Sequence, residues 1–175
     1  MKGGGSVIEF EKIYTTYFND VYLYIRRLSA DEHIAEEITS ETFFKAIRSI
    51  DSFRGECELR VWLCQIAKNC YYSHLKKNRI VAVLEDTKFQ TISDTNTLLD
   101  EQVVNQEEAM LIRKLLHTIP DPYKEVFMWR AFADLSFKQI GQIYNKTDNW
   151  ACVTYHRARK IIKERLEEFK HEKGM

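Results

Sequence analysis

Residues 135–160 read LSFKQIGQIYNKTDNWACVTYHRARK, and their spacing decides how the second half of the chain folds. Ser136 opens the string S-F-K-Q, in which a cap hydroxyl and a Gln three residues on satisfy each other's backbone N–H groups. That helix runs out near Tyr144. Asn145-Lys146-Thr147 form a tight turn, and Thr147 is placed to cap a long final helix. There Ala151, Tyr155, Ala158, Ile162, Leu166 and Phe169 recur every three or four residues and define an inward face. A short capped helix, a three-residue turn and a longer helix with a basic outer face are the parts of a helix-turn-helix, and also of a plain three-helix bundle. With Tyr155 and Ala158 inward, Asn149, Cys152, Val153, His156, Arg157 and Lys160 lie on the opposite side. Residues near the helix start suit base edges, whereas Arg157, Arg159, Lys160 and Lys163 suit phosphates. The helix start also offers backbone N–H groups to a phosphate.

Upstream, a helix from Tyr123 to about Ala133 follows a Pro-bracketed turn, Ile119–Pro122, and a helix ending near His117. From Ile80 to Asn105 helical periodicity dissolves into polar residues and reads as a linker. In the first half, Phe10, Tyr14, Tyr17, Val21, Ile25 and Leu28 line one face of a long helix, broken at Ser29-Ala30-Asp31. A second helix, about Asp31 to Ile50, offers Ile34, Ile38, Phe43 and Ile47 for burial. Asp51 to Glu58, with Gly55, reads as a loop. A third helix, about Leu59 to Lys77, carries Val61, Trp62, Leu63, Ile66 and Ala67 before turning basic. Nothing alternates like a strand. The fold class is all-α: two small helical domains, 7–80 and 106–171, joined by a flexible acidic linker, 81–105, with the helix-turn-helix in the second. The first six residues, MKGGGS, read as a flexible tail.

The 175 residues balance 26 Lys+Arg against 26 Asp+Glu, but the charge is segmented. Six basic and nine acidic side chains occupy 1–53, six and two occupy 54–80, one and seven occupy 81–108, and 13 and eight occupy 109–175. Two basic zones therefore flank an acidic stretch, and such zones are candidate phosphate-contacting surfaces. No apolar run approaches the ~18 residues that span a bilayer, and the start lacks the apolar block of a signal peptide. The chain therefore reads as soluble and cytoplasmic, without membrane insertion. Cys57, Cys64, Cys70 and Cys152 make no C-x-x-C pair and no zinc spacing, so they read as reduced packing thiols. No Gly-rich phosphate loop, H-E-x-x-H or nucleophilic Ser motif is present, and the five His stand singly. No metal, cofactor or catalytic residue is expected, and the chain does not read as an enzyme.

Four strings together, AEEITSETFFKA (35–46), SFRGECELRVWLCQIAKN (52–69), IPDPYKEVFMWR (119–130) and LSFKQIGQIY with HRARK (135–144 and 156–160), give the chain its resemblance to the small two-domain sigma factors of the extracytoplasmic-function group. The resemblance implies binding to core RNA polymerase, at the β′ clamp helices and the β flap, and to promoter DNA both melted and duplex. It implies an anti-sigma factor as a further partner. Glu37, Glu41, Thr42 and Phe43 match the helix that docks on the clamp. Phe53, Arg54 and Gly55 match the loop that holds a base flipped from the minus-ten element, with Asn69, Tyr72 and Lys76 on the helix beneath it. An extruded base needs an apolar wall, edge-reading polar groups and cations for the backbone. Trp62 matches a family tryptophan and is assigned to packing. In the second domain the resemblance assigns Phe137, Lys138, Asn149, Trp150, Cys152, Val153, His156, Arg157 and Lys160 to the duplex minus-thirty-five element.

Asn149-Trp150-Ala151-Cys152-Val153 stands where the family shows a Gly-Thr-Val-Lys/Arg-Ser run. A cation at 152 and a hydroxyl at 153 are missing, which moves base preference toward Asn149, His156, Arg157 and apolar contact with thymine methyls. Cys152 on such a surface is a candidate redox or metal sensor. A linker of this length reaches at most roughly 80–90 Å. Family elements about 17–20 base pairs apart are ~60–70 Å apart at ~3.4 Å per step. The alternative is a stand-alone helix-turn-helix regulator, which has no use for the 35–69 region.

Overall fold

Asp31 turns the chain between its first two helices. In the computed structural model, which describes residues 4–85 and 106–172, the Asp31 carboxylate accepts the Ile34 N–H at 2.9 Å. Ala30 before it takes a left-handed φ of 59° and donates its N–H back to Arg26 O. Thus α1 (Gly4–Ser29) ends and α2 (Glu32–Ser49) begins. α1 starts at Gly4, so the segment expected as a tail is partly helix.

A 3-10 turn (Ile50–Ser52) leads through the 53–58 loop into α3 (Leu59–Glu85). Helix α3 runs past Lys77 and into the stretch expected as linker. Ile80, Val81, Ala82, Val83 and Leu84 carry no helix-breaking residue, and no Gly or Pro stops the helix there. The remainder of the expected linker, 86–105, lies outside the described residues. The chain divides into two compact units, Met1–Thr95 and Asn96–Met175.

In the first unit Val21, Tyr24, Ile25, Ala35, Ile38, Ala46, Val61, Leu63 and Ala67 are fully buried. Phe43 completes this core within a cluster of rings: its centroid lies 6.3 Å from Phe10, 4.9 Å from Tyr14 and 6.1 Å from Phe18. Burying one such side chain contributes roughly 1.5–3 kcal/mol. Ile47, expected inside, is exposed, because the α2 stripe that meets α1 and α3 passes through Ile38, Thr39, Thr42, Phe43 and Ala46. Arg60 on α3 holds Asp20 on α1 through its Nε at 2.8 Å.

The second unit packs α4 (Gln106–Leu116), α5 (Tyr123–Ala131), α6 (Phe137–Tyr144) and α7 (Asp148–Glu172) around Val126, Met128, Trp129, Leu135, Ile140, Ala151, Ala158 and Ile162. Arg165 on α7 reaches back to the Thr118 carbonyl and hydroxyl at the end of α4. Helix α6 is fixed at both ends. Ser136 Oγ accepts the Gln139 N–H at 3.2 Å, and the Gln139 side chain accepts the Ser136 N–H at 2.8 Å. Asn145 takes a left-handed φ of 52°, and Lys146 N–H closes on Gly141 O at 2.8 Å. A Cβ on Gly141 would sit 2.7 Å from Lys146 O and 2.9 Å from Thr147 O, so only glycine admits this turn without a shift. Thr147 Oγ1 accepts the Trp150 N–H at 3.1 Å and opens α7. Thr154, which the periodicity left unassigned, is buried beside Ala151 and Ala158.

Candidate nucleic-acid interface

In α7 the inward face leaves Asn149, Val153, His156, Arg157, Arg159 and Lys160 exposed. Lys160 and Lys163 pair with Glu164 and Glu167 one turn on, at 3.8 and 3.9 Å, with well-exposed side chains on both sides. Such pairs contribute under about 1 kcal/mol, so a phosphate can take these cations at little cost. Cys152 is only partly accessible, and Trp150 is half-buried with its indole 5.3 Å from the Tyr144 ring. Lys138 is exposed on α6. Phe137 is committed to packing: its ring lies 5.7 Å from Tyr155 and carries the Arg130 guanidinium at 5.2 Å. Arg130 in turn donates to Leu135 O at 3.1 Å. Phe137 and Trp150 thus shape the surface more than they present it.

In the first unit, Gly55 has a φ of +70°, the left-handed region that glycine enters without strain. Arg54 and Gly55 are exposed at the tip, while Phe53 leans on Trp62 at 5.1 Å. Trp62, half-buried, is therefore the floor under this loop. Below it Asn69 and Lys76 are exposed on α3 and Tyr72 is half-buried, its ring 5.8 Å from Tyr71. The turn into α3 thus sets the Phe53–Trp62 pair beside an exposed basic tip, with the polar residues further along the helix.

The α2 residues assigned to docking divide. Glu37 is exposed and Glu41 half-buried, paired with Lys45 at 2.6 Å. Thr42 and Phe43, by contrast, are inside the core: Thr42 is fully buried, its hydroxyl donating to Ile38 O at 2.6 Å, and Phe43 is 3% exposed. A side chain enclosed on all sides touches no partner, so both position α2 rather than contact anything beyond it. The accessible neighbours that the sequence reading missed are Phe44, 59% exposed under the Arg48 guanidinium at 4.8 Å, and Ile47. The signal was present: adjacent rings at 43 and 44 stand ~100° apart on a helix, so both cannot face the same core. His74 on α3 faces Glu37, its Nδ1 3.6 Å from the carboxylate, and Asn78 meets its Nε2 at 2.8 Å.

Burial pushes the Cys64 thiol up to about 12, and raises Cys70 and Cys57 as well. Burial, reinforced by nearby Lys124, lowers His117. Among the described residues no cluster of His, Cys, Asp and Glu is arranged to hold a metal ion, and no helix is long and apolar enough to cross a membrane.

The first unit thus carries a basic loop at the start of a polar helix, and the second carries a helix-turn-helix. Residues 13–80 match the Sigma-70 region 2 family. The ECF RNA polymerase sigma factor SigM of Bacillus subtilis is 29% identical over 160 residues, covering 87% of this chain and 92% of the relative. The RNA polymerase sigma factor YlaC of the same organism is 25% identical over 163 residues, with 93% and 94% covered. Among solved structures, the sigma factor RpoE of Bartonella quintana, in complex with the anti-sigma factor NepR, superposes with a TM-score of 0.64 at 19% identity over 91% of this chain and 97% of that one. Along most of its length the chain is thus similar to RNA polymerase sigma factors, the extracytoplasmic-function group among them, with the Sigma-70 region 2 match confined to its first unit.

Proposed function

We propose that this sigma factor divides promoter reading between its units at the residues described above. Phe53, Arg54 and Gly55 hold an extruded base of the minus-ten element against the Trp62-backed loop, while Asn69, Tyr72 and Lys76 follow the melted strand. Asn149, Val153 and His156 read duplex bases of the minus-thirty-five element, and Arg157, Lys160 and Lys138 fix the phosphates. Glu37 and Glu41, with Phe44 and Ile47 beside them, dock on the β′ clamp helices, and the second unit meets the β flap. Thr42 and Phe43 hold that docking helix in place. One observation carries the reading: in both units the polar residues assigned to DNA stand on the solvent side of helices whose opposite faces are buried.

The energetics favour a partner. Nonspecific affinity comes mainly from cation–phosphate contacts, and a chain with no net charge has few to spare. Two weak readers held on one large body gain, because the second contact becomes effectively intramolecular. RpoE of Bartonella quintana was captured with the anti-sigma factor NepR, and CnrH, of similar fold, with the cytosolic domain of CnrY, which supports a protein inhibitor here. The sigma relatives are not enzymes, and this chain works in the cytoplasm beside polymerase. Run-off transcription with purified core polymerase on a genomic fragment library tests the assignment. Promoter-specific transcripts should appear only when chain and core are combined, and Arg54→Ala with Asn69→Ala should lower them at least tenfold. Tight sequence-specific duplex binding by the chain alone would favour a stand-alone regulator instead.

A further inference from the structure

Glu125 near the start of α5, Tyr144 at the end of α6 and Trp150 in the first turn of α7 form one line across the helix-turn-helix. The Tyr144 hydroxyl donates to Glu125 Oε2 at 2.5 Å. Burial and that carboxylate hold the phenol protonated, well above the usual tyrosine range. The other side of the line is the Trp150 indole, 5.3 Å from the Tyr144 ring at an angle of 49°. The backbone of Trp150 is tied to the same turn, its N–H donated to Thr147 Oγ1. Its neighbours Asn149 and Val153 are exposed while the indole is half-buried. The indole is therefore engaged with the turn at the point where the recognition helix starts.

Small changes at that point are amplified along the helix. His156 lies six residues beyond Trp150, roughly 9 Å along the axis at ~1.5 Å per residue, so a tilt of about 10° moves it by roughly 1.5 Å. Hydrogen bonds to base edges tolerate only a few tenths of an ångström before they weaken.

We propose that Glu125, Tyr144 and Trp150 form a buttress that sets the pitch of α7, which makes Tyr144 and Trp150 positioning residues for duplex reading rather than base contacts. The inference rests on the reading of the second unit as the minus-thirty-five reader.

Holoenzyme made from the full chain and core polymerase is mixed with promoter fragments whose upstream element is randomised, and the bound fraction is sequenced. Tyr144→Phe removes only the hydroxyl, and its loss should flatten preference about tenfold, the low end of the scale of one hydrogen bond to a charged group. The flattening should spread over all base pairs of the upstream element and leave the downstream element untouched. Trp150→Phe, which keeps a ring against Tyr144, should retain most of the preference, while Trp150→Ala should lose it. Thermal melting of each variant separates these effects from unfolding. If Trp150→Ala unfolds the second unit, Tyr144→Phe decides alone. A loss confined to one base pair, or unchanged preference in Tyr144→Phe, overturns the buttress. If instead wild-type holoenzyme shows no upstream preference and Asn149→Ala and Arg157→Ala change nothing, the duplex-reading assignment itself falls and the buttress with it.

Discussion

The first unit hangs its functional side chains on helices of 26, 18 and 27 residues around a core rich in aromatic rings, whereas the second relies on helices of 11, 9 and 8 residues before its long last one. Short helices are marginal alone, because nucleation is costly and few hydrogen bonds follow it. The second unit offsets this with local ties: a reciprocal cap at Ser136, a left-handed Asn145, a glycine under the turn and a threonine cap at 147. The first unit gathers such ties at the Ala30-Asp31 turn and the Gly55 loop, and along its long helices depends on side chains distant in sequence. Geometry at the DNA surface is thus set by local chain chemistry in one unit and by tertiary packing in the other.

The sharpest way to break this contrast is to empty the first core. Phe43→Ala should cost about 3–5 kcal/mol, as for other buried rings, and lower the urea midpoint of the first unit alone. A matching fall in the second unit's transition would mean that the two do not fold independently. Next comes Gly141→Ala, where the added methyl meets two backbone carbonyl oxygens that no rotamer can move. Overpacking of that kind costs roughly 1–3 kcal/mol, and the loss should fall on the second unit, followed by its ring signals in NMR. Ser136→Ala should remove about 1 kcal/mol through the lost cap. Hydrogen exchange should then quicken at the start of α6 while the first unit stays protected.

A smaller effect has the opposite sign. Thr39 is fully buried, and its hydroxyl has no hydrogen-bond partner among the described residues. Thr39→Val should therefore stabilise the first unit by about 0.5–1 kcal/mol, since an apolar group of the same shape removes an unmet polar one. Smallest near neutral pH is the contribution of Cys64, raised from 9.0 to about 12 by burial. The folded state keeps that proton when the unfolded chain has already lost it. Stability from this group is therefore complete below pH 9 and declines as pH rises from 9 toward 12. Alkaline titration of the first unit's melting temperature checks this, with Cys64→Ala flattening the decline.

The same contrast explains what could be read before any coordinates. Ser136, Gln139, Asn145 and Thr147 announce their conformations through residue type and spacing, so the helix-turn-helix and its exposed face at Asn149, His156 and Arg157 were legible. In the first unit the helices and much of their inward faces were legible, with Val21, Ile25, Ile38, Phe43 and Val61 buried as expected, but Phe43 was also assigned to docking and Ile47 to the core. Phe43 and Phe44 are chemically identical, and only packing against Phe10, Tyr14 and Phe18 decides which is enclosed. Thr42 was hidden for the same reason, since a threonine on a helix reads as polar until its hydroxyl is seen bonded to its own backbone. The extension of α3 to Glu85 escaped because polar residues further on masked a helix-compatible run. The engagement of Trp150 escaped because no spacing rule links positions 125, 144 and 150.

Phe44, with only the Arg48 guanidinium over its ring, and Ile47 face solvent on α2. Oily side chains left facing solvent invite neighbours of the same kind, so a preparation concentrated without polymerase should cloud or dimerise through this strip. Supply inside a cell then becomes a matter of ratio: surplus copies must be chaperoned, capped or destroyed, and Phe44→Ser should relieve that burden.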